Sequence, residues 1–269
     1  MANVNSLHVP GGARRRVGIQ WVAVALLFAA GMLLAGDPLK PAFAERARAE
    51  LQRAGRQFQS HPENSSNAWL FARACFDLAG FATNKTERAA VAQEGIDACR
   101  AFLARDSHSA PAHYYLGLDL GQLARTKRLG ALRLVREMEG QFKTAFALDG
   151  SFDFAGPARS LGLLYRDAPG WPLSIGSRRK ARQWLEIAAT LAPDYPGNLL
   201  NLVESFLKWS DRGDARKELE RLDALWPAAR TNFTGAAWEQ CWDDWTTRRA
   251  EARQKLGEPS RSAKSGAKK

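Results

Sequence analysis

The chain has 269 residues, of which 45% are hydrophobic, and a formal net charge of +11. That is enough apolar content to bury a core, which excludes a chain that is disordered throughout. Four basic residues and one acidic residue precede Glu45, and five basic residues and one acidic residue lie from Lys255 onward, so the segment between them keeps only +4. The excess charge is therefore terminal, and we predict no nucleic-acid partner.

The N-terminus has the pattern of a membrane or export segment. Residues 1–16 form a basic N-region that ends in three arginines, and residues 17–36 contain no charge. The positive-inside rule keeps the arginines cytoplasmic and places the rest of the chain on the periplasmic side. The length of the apolar run favours an uncleaved transmembrane anchor, whereas Ala42-Phe43-Ala44 matches a signal-peptide cleavage site, so both alternatives stay open. The chain is then either anchored in the inner membrane or exported after cleavage.

The remainder is predicted to be helical. Ala, Leu, Arg and Glu are abundant, and Val, Ile and Thr never alternate over the length of a strand. Residues 37–66 form a linker and a leading helix, 67–227 form a repeat domain, 228–254 form a capping helix, and 255–269 form a disordered basic tail. The predicted fold is all-α, a tetratricopeptide-like solenoid of about four helical hairpins with a C-terminal capping helix, preceded by the membrane or signal segment.

Two half-signatures of the tetratricopeptide unit recur in the repeat domain. The first helix of a unit follows W-x2-L-G-x2-Y, and the second follows a small residue, then a large one, then a Pro. Small residues let antiparallel helices approach, and large ones fill the space between them. First-helix copies are His113/Leu116-Gly117/Leu120, Ala158/Leu161-Gly162/Tyr165, Trp69/Ala72/Phe76 and Leu199/Leu202/Phe206. Second-helix copies are Ala215/Leu219/Leu222/Pro227, Ala181/Leu185/Ala188/Pro193, Met138/Phe142/Ala145/Gly150 and Gly95/Cys99/Phe102/Ser107.

The third unit carries an insertion, "RDAPGWPLSIGS", at the bend of its hairpin. Pro169, Pro172 and the glycines exclude a helix there, and Ser177 is a suitable N-cap for a helix that begins at Arg178. Insertions in a solenoid often lie on its binding face. The alternative is that the long bend only packs Trp171 against its neighbours.

The first helices of the units should line a concave groove. Helical periodicity predicts which side chains point into it: Tyr114, Gln122, Arg159, Arg166, Asp167, Glu204 and Lys208. Arginines and a lysine around a tyrosine suit a carboxylate ligand or an acidic peptide terminus, because Arg offers a planar fork of donors. The alternative is that these charges are solvated or paired with one another.

The chain has three cysteines and four histidines that could form a disulfide, a metal site or a catalytic site. Cys75 and Cys99 fall on the two helices of one predicted hairpin, and are either a disulfide or two buried thiols. After Pro227, Trp238, Cys241, Trp242 and Trp245 share one helical face, as expected of a helix that covers the end of a solenoid. No catalytic or metal-binding motif is present, so we predict no enzyme, no metal and no cofactor.

Parts of the repeat domain resemble a known family. The stretches are "AHYYLGLDLGQLART", residues 112–126, and "AGPARSLGLLYRDAPGWPLSIGSRRKARQWLEIAATLAPDYPGN", residues 155–198, with the run from Gly95 to Arg100. They resemble the TatT-like accessory proteins of TRAP-type transporters, over roughly residues 67–227. The resemblance implies a periplasmic helical-repeat protein that associates with the solute-binding component of a transporter for small organic acids. Members carry a lipidated Cys, which this chain lacks.

Three functions are therefore open. The first is a non-enzymatic interaction module whose groove binds a protein partner, such as a transport component. The second is a carrier that binds a small organic anion directly. The third is a structural envelope-assembly protein that uses the groove as an oligomer contact.

Overall fold

A computed structural model describes residues 39–127 and 130–257. The predicted N-region and apolar segment lie outside these residues, as does most of the predicted tail. None of the described helices is long and apolar enough to cross a membrane. The helices are α1 (Leu39–Ser60), α2 (Ser65–Phe81), α3 (Lys85–Leu103), α4 (Ala110–Ala124), α5 (Ala131–Leu148), α6 (Phe152–Asp167), α7 (Arg178–Leu191), α8 (Pro196–Lys208), α9 (Arg212–Asn232) and α10 (Glu239–Leu256).

Four helical hairpins follow one another along the chain, as predicted. They are α2–α3, α4–α5, α6–α7 and α8–α9, and each packs on the next. Helix α1 covers the first hairpin, and α10 covers the last by contacting α8 and α9. The described residues contain no strand, only an isolated bridge between Gly170 and Gly176 in the third-hairpin insertion. The all-helical solenoid with a capping helix is therefore confirmed for this part of the chain.

The packing follows the small-against-large rule that the half-signatures predict. A Cβ on Gly117 would lie 2.5 Å from the Phe142 ring, and a Cβ on Gly162 would lie 2.6 Å from Leu185 Cγ. Both large side chains are almost fully buried. A larger residue at either glycine would push the two helices of its hairpin apart. The repeat is thus set by contacts between its two half-signatures.

Helix starts are marked by side-chain caps. The Ser177 hydroxyl accepts a hydrogen bond from the Lys180 amide (3.3 Å), which confirms the predicted N-cap and the start of α7 at Arg178. Asn84 and Ser109 cap α3 and α4 in the same way. Each cap satisfies an amide that has no partner within its helix.

One predicted boundary is wrong. The second-helix signature places the end of the last repeat at Pro227, but α9 continues through it to Asn232. Proline removes one helical hydrogen bond, and tertiary packing compensates for the loss here. Trp226 packs edge-on against Trp242 at 5.2 Å, and Ala229 is fully buried. Contacts with α10 thus extend a helix that local sequence alone would stop.

Candidate interaction site

Three consecutive residues just inside α6 have a left-handed backbone. Asp153, Phe154 and Ala155 have φ of 51, 54 and 61° and ψ of 49, 51 and 36°. None is a glycine, and left-handed geometry costs an L-residue about 1–2 kcal/mol because Cβ approaches the following carbonyl. Such strain persists only where the surroundings hold it, and it concentrates at functional sites. We call Asp153–Ala155 the left-handed turn.

Hydrogen bonds from three elements hold this turn. The Tyr114 hydroxyl and Arg159 Nη2 each donate to Asp153 Oδ2 at 2.8 Å. Arg159 Nη1 and Asn198 Nδ2 donate to the Phe154 carbonyl at 3.0 and 3.1 Å. Helices α4, α6 and α8 therefore all contribute, and these are the first helices of three successive hairpins. The predicted groove residues Tyr114 and Arg159 do lie together, but both donate hydrogen bonds to Asp153 of the same chain.

Phe154 is presented at the surface of the left-handed turn. Its ring stacks on Tyr195 at 4.7 Å and contacts Phe233 and Trp238 edge-on at 5.5 and 5.7 Å. It nevertheless remains 39% exposed. Contacts with three other rings already restrict the Phe154 side chain, so it loses little conformational entropy when a partner covers its exposed part. Phe154 is therefore a well-prepared contact residue.

The other predicted groove charges are paired within the chain. Arg166 donates two hydrogen bonds to Asp167, at 2.9 and 2.7 Å, and Lys208 donates to the same carboxylate at 2.6 Å. Glu204 accepts two hydrogen bonds from Arg248 of α10, at 2.6 and 2.9 Å.

Gln122 is buried and accepts a weak hydrogen bond from Arg88 at 3.5 Å. The structure thus supports the alternative interpretation, in which these groups are internally paired rather than free for an anion.

Three carboxylates whose charges act on the region of the left-handed turn are accessible. The side chains of Asp77, Asp153 and Asp244 are 46, 34 and 42% exposed. Arg73 lies beside Asp77 at 3.8 Å and is also exposed. Asp77 lies on α2, Asp153 near the start of α6 and Asp244 on α10, and the surface they define includes the left-handed turn. We call this surface the concave face.

These carboxylates are close enough for their charges to raise the pKa of neighbouring groups. Burial raises the pKa of Asp77 to about 6 against the attraction of Arg73, and the charge of Asp153 contributes to the rise. Burial also raises the pKa of Cys241 to about 11, with Asp244, Asp153 and Asp77 adding to it.

The insertion between α6 and α7 forms a braced loop. The Gly176 amide donates to the Pro169 carbonyl at 2.9 Å, and the Ser177 amide donates to the Tyr165 carbonyl at 2.9 Å. A Cβ on Gly176 would overlap the Ala168 carbonyl oxygen, so only glycine fits there. Trp171 is 88% exposed at the tip of this loop. The suggestion that Trp171 packs on its neighbours is therefore wrong.

The three cysteines are free thiols in the structure, and Cys75 and Cys99 are both buried. The disulfide that the sequence allows is not formed, and the two cysteines pack as small side chains of the core. Burial raises the pKa of both thiols well above the ordinary value. Within residues 39–127 and 130–257, no group of His, Cys, Asp and Glu side chains has the arrangement of a metal site.

Asp153, Tyr195 and Asn198 belong to the site but were missed from the sequence. A signal was present in Gly156-Pro157. A Cβ on Gly156 would lie 2.7 Å from Tyr114 Cζ, so that glycine marks a close approach to the predicted groove. Periodicity could not find Asp153, because it assumes a right-handed helix and this turn is left-handed.

Comparison with known proteins adds one finding to this geometry. A solved structure of a thermophilic TPR (tetratricopeptide repeat) protein from Thermus thermophilus superposes with a TM-score of 0.59. The match covers 80% of this chain and 95% of that one, at 17% sequence identity.

The fold is TPR-like. No known protein family and no curated protein matches this TPR-like chain by sequence. The resemblance to the TatT-like accessory proteins thus gains no support from these comparisons.

Proposed function

We propose that this TPR-like protein is a non-enzymatic interaction module whose concave face binds a segment of a partner protein around Phe154. The left-handed turn carries the proposal. Its backbone is strained, yet hydrogen bonds from three successive repeats keep it in place. Backbone strain of this kind concentrates at functional sites, and here the strained turn carries a partly exposed aromatic ring.

The charges of the concave face favour a segment that carries a cationic side chain. Asp77, Asp153 and Asp244 are accessible, whereas the guanidinium groups of Arg159 and Arg248 are mostly buried beneath them in ion pairs. A cation over Phe154 would meet both the ring face and a carboxylate. This arrangement opposes the carrier hypothesis, since the arginines suggested for an organic anion already bind carboxylates of the chain.

A photo-crosslinking experiment tests the proposal. A photoreactive phenylalanine analogue replaces Phe154 in one variant and Leu191, an exposed residue at the end of α7, in a matched control. We expect a defined crosslinked partner from position 154 only. Asp77→Asn in the first variant should lower its yield about fivefold, as loss of roughly 1 kcal/mol implies. The same products from both positions would contradict the proposal.

The role as an accessory of a TRAP-type transporter remains a hypothesis that rests on the sequence resemblance alone. The crosslinked partner tests it directly. A solute-binding or permease component would support it. A partner from envelope assembly, or a second copy of this chain, would favour the scaffold hypothesis instead.

A further inference from the structure

The N-terminal end of α1 contacts the segment before α10, some 190 residues later in the chain. Arg46 Nη1 donates to the Ala236 carbonyl at 2.8 Å, and Arg46 Nη2 donates to Glu239 Oε2 at 3.0 Å. Phe43, one turn earlier, is only 5% exposed. We call this contact the seam. It joins the two ends of the solenoid.

Phe43 is part of the apolar wall of a groove at the seam. The groove has a volume of about 640 Å³, and Phe233 and Trp242 supply the rest of its apolar lining. Phe233 is itself buried, and its carbonyl accepts a hydrogen bond from the Trp242 indole at 2.6 Å. Phe43 therefore shares this groove with side chains that belong to the folded core.

The seam conflicts with removal of the N-terminal segment at Ala42-Phe43-Ala44. Cleavage after Ala44 would leave Glu45 as the first residue, so Phe43 and the whole first turn of α1 would be lost. Arg46 would then stand next to a free N-terminus at a frayed helix end. A discarded leader has no part in the mature fold. Here, residues on both sides of the expected cut belong to the same helix and the same contact.

We infer that the chain is not cleaved at Ala44, so that the mature protein keeps Phe43 and the first turn of α1. The small residues Ala42 and Ala44 serve the helix instead: Ala42 faces solvent, and Ala44 is half-buried.

The mature N-terminus provides the main test. The full-length chain with a C-terminal tag is produced in a Gram-negative bacterium, recovered from both the detergent-extracted membranes and the soluble periplasmic fraction, and examined by intact mass and N-terminal sequencing. We expect Phe43 to be retained in the mature chain. A mature chain that begins at Glu45, or at any other residue after Phe43, would overturn the inference.

Ala42→Leu is the matched control, because signal peptidases require a small residue at this position and the side chain is exposed. Wild type and variant should have masses that differ only by the substitution. A wild type that lacks the residues up to Ala44 would mean that cleavage occurs.

A second measurement tests the seam itself and does not depend on processing. Phe43→Asp should speed amide hydrogen exchange at residues 233–246 by tenfold or more, while Ala42→Asp should leave it unchanged. Equal exchange in the two variants would show that Phe43 does not cover the cap, and the inference would lose its structural basis. Both tests are independent of what the concave face binds.

Discussion

Two aspartates on neighbouring parts of the solenoid are in opposite situations. Asp119 lies in the regular helix α4, is fully buried, and neither of its carboxylate oxygens has a hydrogen-bond partner among the described residues. Asp153 lies in the left-handed turn, remains partly exposed, and binds both Tyr114 and Arg159. The unpaired site, at Asp119, combines a relaxed backbone with a carboxylate that has no hydrogen-bond partner among the described residues, whereas the paired site, at Asp153, combines a strained backbone with a carboxylate whose Oδ2 accepts two hydrogen bonds. The paired site is the one that we propose contacts a partner, whereas the unpaired carboxylate lowers stability.

The largest expected effect is at the paired site. Arg159→Ala leaves Asp153 and the Phe154 carbonyl without their main donor, so we expect a loss of about 3 kcal/mol in the free energy of unfolding. Chemical denaturation measures it. Arg178→Ala is the control, because its pair with Asp211 is long (3.4 Å) and exposed, and should cost less than about 1 kcal/mol. Equal losses would show that the left-handed turn needs no such support.

At the unpaired site, substitution of the aspartate is expected to raise the stability of the protein instead of lowering it. Burial raises the pKa of Asp119 well above its usual range, and the charge of Asp77 adds to the rise. The folded state thus keeps a proton that the unfolded chain releases near pH ~3.9, and stability falls as pH rises above that value. Asp119→Asn should therefore stabilise the protein by about 2 kcal/mol at pH 7.

The pH dependence separates this effect from simple repacking. Asp77, with its pKa of about 6, is present in both proteins, so the difference between their stability profiles reports Asp119 together with its coupling to Asp77. Thermal unfolding from pH 4 to 8 should show a gap that widens with pH. A constant gap would mean that Asp119 titrates normally.

The space around Asp119 gives a third prediction. A Cβ on Gly95 would overlap Asp119 Oδ2 and lie 3.0 Å from Cys75 Cβ, so Gly95→Ala should destabilise by about 1.5 kcal/mol. Gly140→Ala, where nothing lies within 4 Å, should instead stabilise by about 0.5–1 kcal/mol. Adding Asp119→Ala to Gly95→Ala should recover part of the loss. If the stability changes of the two substitutions simply add, contact with Asp119 is not the cause of the loss.

The smallest effect measures the strain of the left-handed turn. Ala155 and Ala158 are both fully buried in one small cluster, but only Ala155 is left-handed. Ala158→Gly should cost about 1 kcal/mol, as in any helix interior. Ala155→Gly should cost close to nothing, because relief of the left-handed penalty offsets the lost methyl contact. If the two costs are the same, the turn is not strained.

The sequence by itself determined the architecture. Glycines such as Gly117 and Gly162, spaced against Phe142 and Leu185, specify hairpins because small-against-large packing acts between residues whose spacing is fixed by helical geometry. Ser177 likewise fixed the start of α7, since a cap acts over three residues. The insertion between α6 and α7 could also be predicted from the sequence, because proline and glycine exclude a helix locally.

Only the tertiary structure decided the site. Arg159 and Glu204 appear free in sequence, and only the folded chain shows that they pair with Asp153 and Arg248. The left-handed turn depends on donors from α4, α6 and α8 together, and the passage of α9 through Pro227 depends on α10. Such features arise where long-range contacts outweigh local preference, and no pattern of spacing along the chain records those contacts.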